Sequence, residues 1–515
     1  MFLKYFSLFL LTLFIIINKN DSARILAVIP TASYSHQMFY QQLWRQLAIQ
    51  GHDMVVITTD PTGETLPNFK EISIRESYGP FKKIIDLILE QGMFNIFFSS
   101  EMDELGKELI HFQLGLPQVQ QIVRNESEYF DLLMVEHMPG PFYALKKRFG
   151  CPMIGVVSLD GFPSSHEAMG NPVYSVLYPY SLFPYQENIS LWERIIVVVF
   201  NGLARVFEQF DGLRMNVYAK DYFGVDVDVM EMLGETDMLF VNANPLFTVV
   251  RPHTPATINL AGGIHMKPPR ELPKDLKQFL DKGKDGVIYF SLGSNVKSKE
   301  LSMELRETIL TTLSQLPYKV LWKFEDDTLP GKPKNVMITK WAPQQDVLRH
   351  PNVKLFITQG GIQSLEEALY SHVPMVVIPF LADQEGNAVK VQSKGLGLTL
   401  HPTTLNTNNF KNAILEVLKD PKYKANVKLL AAQIQDQPMT PMEKAIWWIE
   451  YVLRHKGAQH LKGPKIPLYQ YYYFDVLGAL VATVFVIILF IWLSFKGIAK
   501  CCRSLTSKDN KIKKD

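Results

Sequence analysis

The segment 353–379 admits few folds. An apolar run, Val353–Thr358, ends at two adjacent glycines, Gly360 and Gly361; a helical pattern follows over 364–369, and a second apolar run, 375–379, closes the unit. A buried strand, a tight turn, a helix and another buried strand in so short a space read as a crossover between parallel strands. The same alternation recurs along the chain. Strands are expected at 25–29, 54–58, 130–135 and 153–157 in the first half, and at 287–290, 320–324 and Val336–Thr339 in the second. A helix is expected from about 35 to 50, where Phe39, Leu43 and Leu47 repeat at i+4. Such alternation argues an α/β fold, with parallel sheets covered by helices on both faces. Two units of this kind, joined around the Pro-, Gly- and Thr-rich stretch 252–269, imply two Rossmann-like domains. Ligands of such sheets bind beyond the carboxyl ends of the strands, so both sites face the cleft between the domains.

Both ends of the chain carry signals of another kind. Behind Lys4, the apolar run 6–17 has the length of a signal-peptide core and is too short to span a bilayer. Cleavage is expected near Ala23, an uncleaved anchor being the alternative. Residues 476–495 hold no charge, and at ~1.5 Å per residue they cover ~30 Å, a bilayer core. Tyr471, Tyr472, Tyr473 and Trp492 stand where interfacial aromatics belong. The tail beyond carries Lys496, Lys500, Arg503, Lys508, Lys511, Lys513 and Lys514 against Asp509 and Asp515. By the positive-inside rule the tail is cytosolic and everything before Tyr471 lumenal or extracellular, a type I single-span topology. With the whole chain at +2, that tail leaves a slightly acidic body, which gives no reason to expect a nucleic-acid partner. Lys511 and Lys513, fifth and third from the end, resemble the dilysine retrieval signal of endoplasmic-reticulum membrane proteins; a plain solvated basic tail is the alternative. Cys501 and Cys502 lie beside the membrane and are candidates for palmitoylation. Cys151 is the only cysteine of the body, so it holds neither an internal disulfide nor a cysteine metal site. Asn125-Glu126-Ser127 and Asn188-Ile189-Ser190 are N-glycosylation sequons.

The chemistry concentrates in 341–384. Trp341 offers a flat face to a base such as uracil. The Gly360-Gly361 turn lets backbone N–H groups approach a phosphate, and the helix that follows adds the positive end of its dipole. Glu367 can accept hydrogen bonds from both hydroxyls of a ribose, and Asp383-Gln384 from the hydroxyls of a sugar. Upstream, Ser291-Leu292-Gly293-Ser294 adds small residues and free amides after a strand. This stretch resembles the signature of the UDP-glycosyltransferases, a membrane-bound family that conjugates small lipophilic molecules to a sugar. Thr358-Gln359-Gly360-Gly361, Ser364, Glu367, Pro374, Pro379 and Asp383-Gln384 all fall at the family's spacing, and the resemblance extends along nearly the whole chain. One position departs from it: many members have His where Gln359 stands, Gln being the form of invertebrate members. Gln still donates an amide N–H to a phosphate but carries no charge.

The resemblance implies a GT-B architecture. Its parts are a signal peptide (1–23), an acceptor-binding domain (24–250), a UDP-sugar-binding domain with a returning helix (251–460), a transmembrane helix (476–495) and a cytosolic tail (496–515). It places the donor on Ser294, Trp341, Gln344, Gln359, Gly360, Gly361, Gln363, Ser364, Glu367, Asp383 and Gln384. It makes His36 the catalytic base, at the mouth of the first helix. A helix N-terminus disfavours the imidazolium and is expected to keep His36 neutral. The family orients this His with an Asp after a strand beginning Phe-Asp; here Glu136 stands at that position. Asp131, at the strand's start, and His137, as the group Glu136 neutralises, leave that assignment open. The implied reaction is a single inverting displacement on a UDP-sugar, glucose being preferred and glucuronic acid the alternative, with small hydrophobic hydroxyl acceptors and no metal. A non-catalytic UDP-binding carrier is the reading from another class, and a homo-oligomer stays open. Asp226-Val227-Asp228, a metal motif in other glycosyltransferase architectures, reads here as solvated acid near a helix start. The absence of G-x-G-x-x-G after the first strand argues against a dinucleotide oxidoreductase. Segments 93–98 and 192–200 are apolar and read as core, with an acceptor pocket or membrane contact as the alternatives.

Overall fold

The structure, a computed structural model, describes residues 22–92, 99–179, 183, 189–248 and 250–512. The apolar leader 6–17, the segment 93–98, the sequon residue Asn188 and the lysines Lys513 and Lys514 lie outside the described residues.

Two wholly parallel sheets organise the body. The first contains β1 (Arg24–Ile29), β2 (Asp53–Thr58), β3 (Phe69–Ser73), β4 (Leu132–Glu136), β5 (Met153–Val156), β6 (Met238–Val241) and β7 (Thr257–Asn259). Their order is β3-β2-β1-β4-β5-β6-β7. The second contains β8 (Val287–Ser291), β9 (Lys319–Lys323), β10 (Val336–Thr339), β11 (Val353–Thr358), β12 (Met375–Val377) and β13 (Gly397–Thr399), in the order β10-β9-β8-β11-β12-β13. The helices used below are α1 (Tyr34–Ile49), α2 (Ser100–Gly115), α3 (Pro163–Met169), α4 (Leu191–Phe223), α5 (Gln344–Leu348), α6 (Ile362–Tyr370), α7 (Gln384–Ser393), α8 (Pro441–His455) and α9 (Phe474–Ile512).

The inner strands of the first sheet are apolar on both sides because each side is roofed, whereas the edge strand β3 exposes Lys70 and Ser73. Leu26 and Val28 enter one core cluster, while Ile25, Ala27 and Ile29 enter another on the opposite face. Ala445, Ile449 and Val452 of α8 belong to that second cluster, so the late helix packs on the first sheet, against α1. Strand order reverses between β1 and β4 in the first sheet and between β8 and β11 in the second, opening a crevice at the carboxyl ends of each pair. Register sets what meets there: Val28 pairs with Val135, which leaves Glu136 beside the exit of β1, and Ser291 pairs with Thr358.

One boundary needs correction. The first sheet does not end at residue 250, because β7 pairs with β6 through Leu239–Thr257, Phe240–Ile258 and Val241–Asn259. The Pro-rich stretch 252–269 therefore supplies an edge strand before it becomes a connection. Residues up to Gly463 form one compact unit and 464–515 another. In the latter, α9 is apolar and long enough to cross a membrane over Phe474–Arg503. The helix itself continues through the basic residues expected as a tail. Asp228 caps the helix Val229–Gly234 by accepting from the Met230 and Glu231 N–H groups, and Asp226 pairs with Lys220 at 3.2 Å.

Candidate active site

Two crevices facing each other enclose a cavity of about 370 Å³ lined from both sheets. His36, on the first turn of α1, contributes from the first. Its Nδ1–H donates to Glu136 Oε1 at 2.6 Å, while Glu136 Oε2 accepts from the Thr31 N–H at 3.1 Å. Glu136 is only 4% exposed, so this carboxylate has little choice of partner. With Nδ1 committed as donor, Nε2 keeps the lone pair that a base needs. Burial works against the imidazolium, but the facing Glu136 carboxylate and its hydrogen bond outweigh it, with help from Asp383, and the His36 pKa is raised. Glu136, the orienting partner expected from the sequence, thus acts on the imidazolium against the helix N-terminus that was expected to keep His36 neutral.

The rivals for Glu136 are occupied elsewhere. Asp131 Oδ2 accepts from the Arg24 N–H at 2.7 Å, at the opposite end of the strands. His137 turns to Ser165 Oγ at 2.7 Å, and burial pushes its pKa down to about 3.

The other wall comes from β8, α5, β11, α6 and α7. Ser294, Trp341, Gln344, Gln359, Gly361, Gln363, Ser364, Glu367, Asp383 and Gln384 all line the cavity. Gly360 does not line it; it shapes it. At φ 91° its backbone favours glycine, and a Cβ there would come within 2.7 Å of Val377 Cγ1. The N-terminus of α6 opens on the cavity with no side chain capping it, so the first amides of the helix stay available. Gln359 is buried with its Oε1 unsatisfied, and its Nε2 presses on Gly293, where a Cβ would lie 2.2 Å away. Trp341 is 55% exposed, with Tyr34 edge-on at 5.3 Å and the Lys323 ammonium 5.5 Å from its ring centre.

Each oxygen of Glu367 already accepts one hydrogen bond from the protein. Its Oε2 accepts from Gln344 Nε2 and its Oε1 from Gln345 Nε2, each at 2.8 Å. Burial raises its pKa and the two amides pull it back. One lone-pair direction per oxygen is left. Asp383 Oδ2 accepts from Asn387 Nδ2 at 2.6 Å, and the same amide donates to the Gly360 carbonyl at 3.0 Å. Burial raises the Asp383 pKa, opposed chiefly by Asn387 and also by His36. Gln384 Oε1 accepts from the Phe380 and Leu381 N–H groups, which leaves its NH2 for the cavity. Gln363 spends its amide on the Ser158 carbonyl at 2.7 Å, across the cleft.

Sequence reasoning missed Gln345, Asn387, Lys323, Lys267 and Arg270. Asn387 carries a readable signal, standing one helical turn after Asp383; the two glutamines in a row, Gln344 and Gln345, carry another. Lys323 is buried at a strand end and lines the cavity, donating to the Gly293 carbonyl at 2.7 Å; only the tertiary structure brings it there.

Residues 147–512 match the family described as UDP-glucoronosyl and UDP-glucosyl transferase. UDP-glycosyltransferase UGT5 of Dactylopius coccus is 32% identical, covering 95% of this chain and 94% of its own. UDP-glucosyltransferase 2 of the same organism is 31% identical over 99% of this chain and 100% of its own. UDP-glucuronosyltransferase 2B15 of Homo sapiens is 29% identical over 100% of both. Among solved structures, Os79 from O. sativa, in complex with U2F and trichothecene, aligns with a TM-score of 0.57 at 16% identity, over 83% of this chain and 100% of that one. CalG4, the calicheamicin glycosyltransferase, aligns at 0.55 and 18% identity, over 84% and 99%. The structural likeness bears on the fold, which is GT-B. The sequence likeness spans the chain from end to end, and with it the chain belongs to the UDP-glycosyltransferase family and is an enzyme that transfers glucose or glucuronic acid from a UDP-linked donor.

Proposed function

We propose that the protein transfers glucose from UDP-glucose to a hydroxyl of small lipophilic acceptors, with inversion at the anomeric carbon. The observation that carries this reading is the 2.6 Å His36–Glu136 pair at the wall of the donor cavity. His36 Nε2 takes the acceptor proton as its oxygen attacks the anomeric carbon from the side opposite UDP. Glu136 holds the ring and stabilises the imidazolium that forms. Uracil stacks on Trp341, and Glu367 accepts from the ribose. The amides of α6 and the Gln359 side chain meet the diphosphate without a metal ion. Asp383 and the Gln384 amide read the sugar. The chain sits in the endoplasmic-reticulum membrane through α9, with its body lumenal and its basic end cytosolic.

Glucose is supported by the uncharged Gln359 and by a relative bearing the name glucosyltransferase. Glucuronic acid is the second reading, favoured by Lys390, a largely buried ammonium whose charge reaches Asp383. Microsomes containing the full chain, offered each donor with a panel of phenols, decide between them. The expected product is a β-glucoside from the α-linked donor, lost in His36→Ala. Product of retained configuration, or turnover undiminished in His36→Ala, would overturn the mechanism. UDP binding without any turnover would return the protein to the carrier reading.

A further inference from the structure

The segment that leads out of β7 towards the second sheet carries a histidine that the donor chemistry has not yet used. His265 is fully buried, and neither its Nδ1 nor its Nε2 has a hydrogen-bond partner among the described residues. Two carboxylates face it from α6. Glu366 Oε2 lies 3.7 Å from Nδ1, and Glu367 Oε1 lies 3.8 Å from Nε2. Phe39 of α1, less than one turn beyond His36, packs on the ring at a centroid distance of 5.7 Å. The imidazole therefore sits where the catalytic helix, the connecting segment and the donor-binding helix meet. Two unpaired ring nitrogens in a dry site are costly, and an approach closer by about 1 Å would pair both.

The segment is built to make such an approach. Gly262 and Gly263 precede the histidine at φ 112° and 99°, values that favour glycine. On the first-sheet side, Glu366 Oε1 accepts from the Gly262 N–H at 3.4 Å, and its Oε2 accepts from Asn242 Nδ2, just after β6, at 3.0 Å. On the donor side, Gln345 Nε2 donates to the His265 carbonyl at 3.3 Å, and its Oε1 accepts from the Lys267 N–H at 2.8 Å. Gln345 Nε2 also donates to Glu367 Oε1. One amide thus holds both the connecting segment and the carboxylate.

Burial settles where the protons are. It pushes the His265 pKa down to about 4, the Gln363 backbone opposing it, so the ring is neutral with one N–H. Burial raises Glu366 to about 7, so a proton stays on that carboxyl up to neutrality. Glu367 has two amides donating to it and is the better acceptor. A chain then closes in one direction: Glu366 O–H donates to Nδ1, and Nε2–H donates to Glu367 Oε1.

We propose that His265 is a positioning residue for the donor: as the two sheets close on a UDP-sugar, it bonds Glu366 and Glu367 together and fixes the Glu367 carboxylate with Oε2 towards one ribose hydroxyl. The inference rests on the reading of Glu367 as the ribose acceptor.

Calorimetric titration of the solubilised full-length protein with UDP and with 2′,3′-dideoxyuridine diphosphate tests it. The parent should bind UDP the more tightly. His265→Phe keeps a ring against Phe39 and removes both nitrogens. Its Kd for UDP should rise about tenfold, while its Kd for the dideoxy nucleotide stays unchanged and shows that the pocket is folded. His265→Gln, whose amide stands in for Nε2–H, should recover most of the preference for UDP. Equal loss of both nucleotides in the two variants would make His265 a packing residue, overturning the inference and leaving the ribose reading intact. Should His265→Phe bind neither nucleotide, His265→Gln decides alone: a kept preference for UDP upholds the inference and a lost one overturns it. A parent that binds the two nucleotides equally would overturn the ribose reading of Glu367, and this inference with it.

Discussion

His36 and Glu136 are 100 positions apart, and on the proposed mechanism the bond between them sets the pH response. If His36 is the base, as proposed, it works in its neutral form, and since Glu136 holds its pKa up, kcat/KM should fall as pH drops through that raised value. Glu136→Gln removes the charge while the burial that opposes imidazolium remains. The acidic limb of the profile should move to lower pH, with kcat reduced by about 10²-fold or more. A limb that stays in place or moves upward in a kcat/KM–pH profile would show that Glu136 does not act through His36. Glu367 makes the complementary case for the donor. Glu367→Ala removes the proposed ribose acceptor and strands the Gln344 and Gln345 amides together. KM for the UDP-sugar should rise by about tenfold or more, with KM for the acceptor unchanged, in initial-rate kinetics.

At the scale of elements, legibility followed burial on two faces. Strands β1, β2, β8, β9 and β11 carry buried apolar runs because helices roof both sides, and runs of that kind stand out in a sequence. The short strands β7 and β13 and the half-exposed β3 lie at sheet edges, where little apolar sequence is required, and none was foreseen. Strand β6 was also missed: four buried residues between polar neighbours give too short a run to register. The late helix α8 is the returning helix that the family resemblance implied. Its buried Ile449 joins the core of the first sheet, so Ile449→Ala should cost about 2–5 kcal/mol. Thermal unfolding of the solubilised full chain reads this as a lowered Tm; an unchanged Tm would mean that α8 packs elsewhere.

Over the whole molecule, the two sheets are held face to face by a few polar bonds across the cleft. Asn295 Nδ2 donates to Ser33 Oγ at 3.1 Å, Gln363 to the Ser158 carbonyl, and Asn242 Nδ2 to Glu366 Oε2 at 3.0 Å. The last of these depends on pH. Burial raises the Glu366 pKa to about 7, above the ordinary 4.5 of an unfolded chain. The folded state therefore holds a proton that the unfolded state releases. The resulting stability is fully present below about pH 4.5 and lost as pH rises through about 7. Glu366→Gln keeps an acceptor for Asn242 and removes the titration. Its Tm should exceed that of the parent at pH 8, and the gap should close towards pH 5. A gap independent of pH would show that Glu366 is not neutral in the folded protein.

The sequence by itself determined the alternation of strands and helices, and with it the doubly wound sheets, because the apolar period of each element is local. It also determined the chemistry of 341–384, where turn, helix and carboxylates lie within one crossover unit and their spacing is their geometry. The apolar helix near the end was legible for the same reason. Tertiary structure alone decided which side chains converge from distant segments. It brought Glu136 to His36 rather than to His137, Gln345 to Glu367, and Lys323 to Trp341. It also made 257–259 the last strand of the first sheet, because sheet pairing is settled by neighbours far along the chain and leaves almost no mark on three residues of sequence.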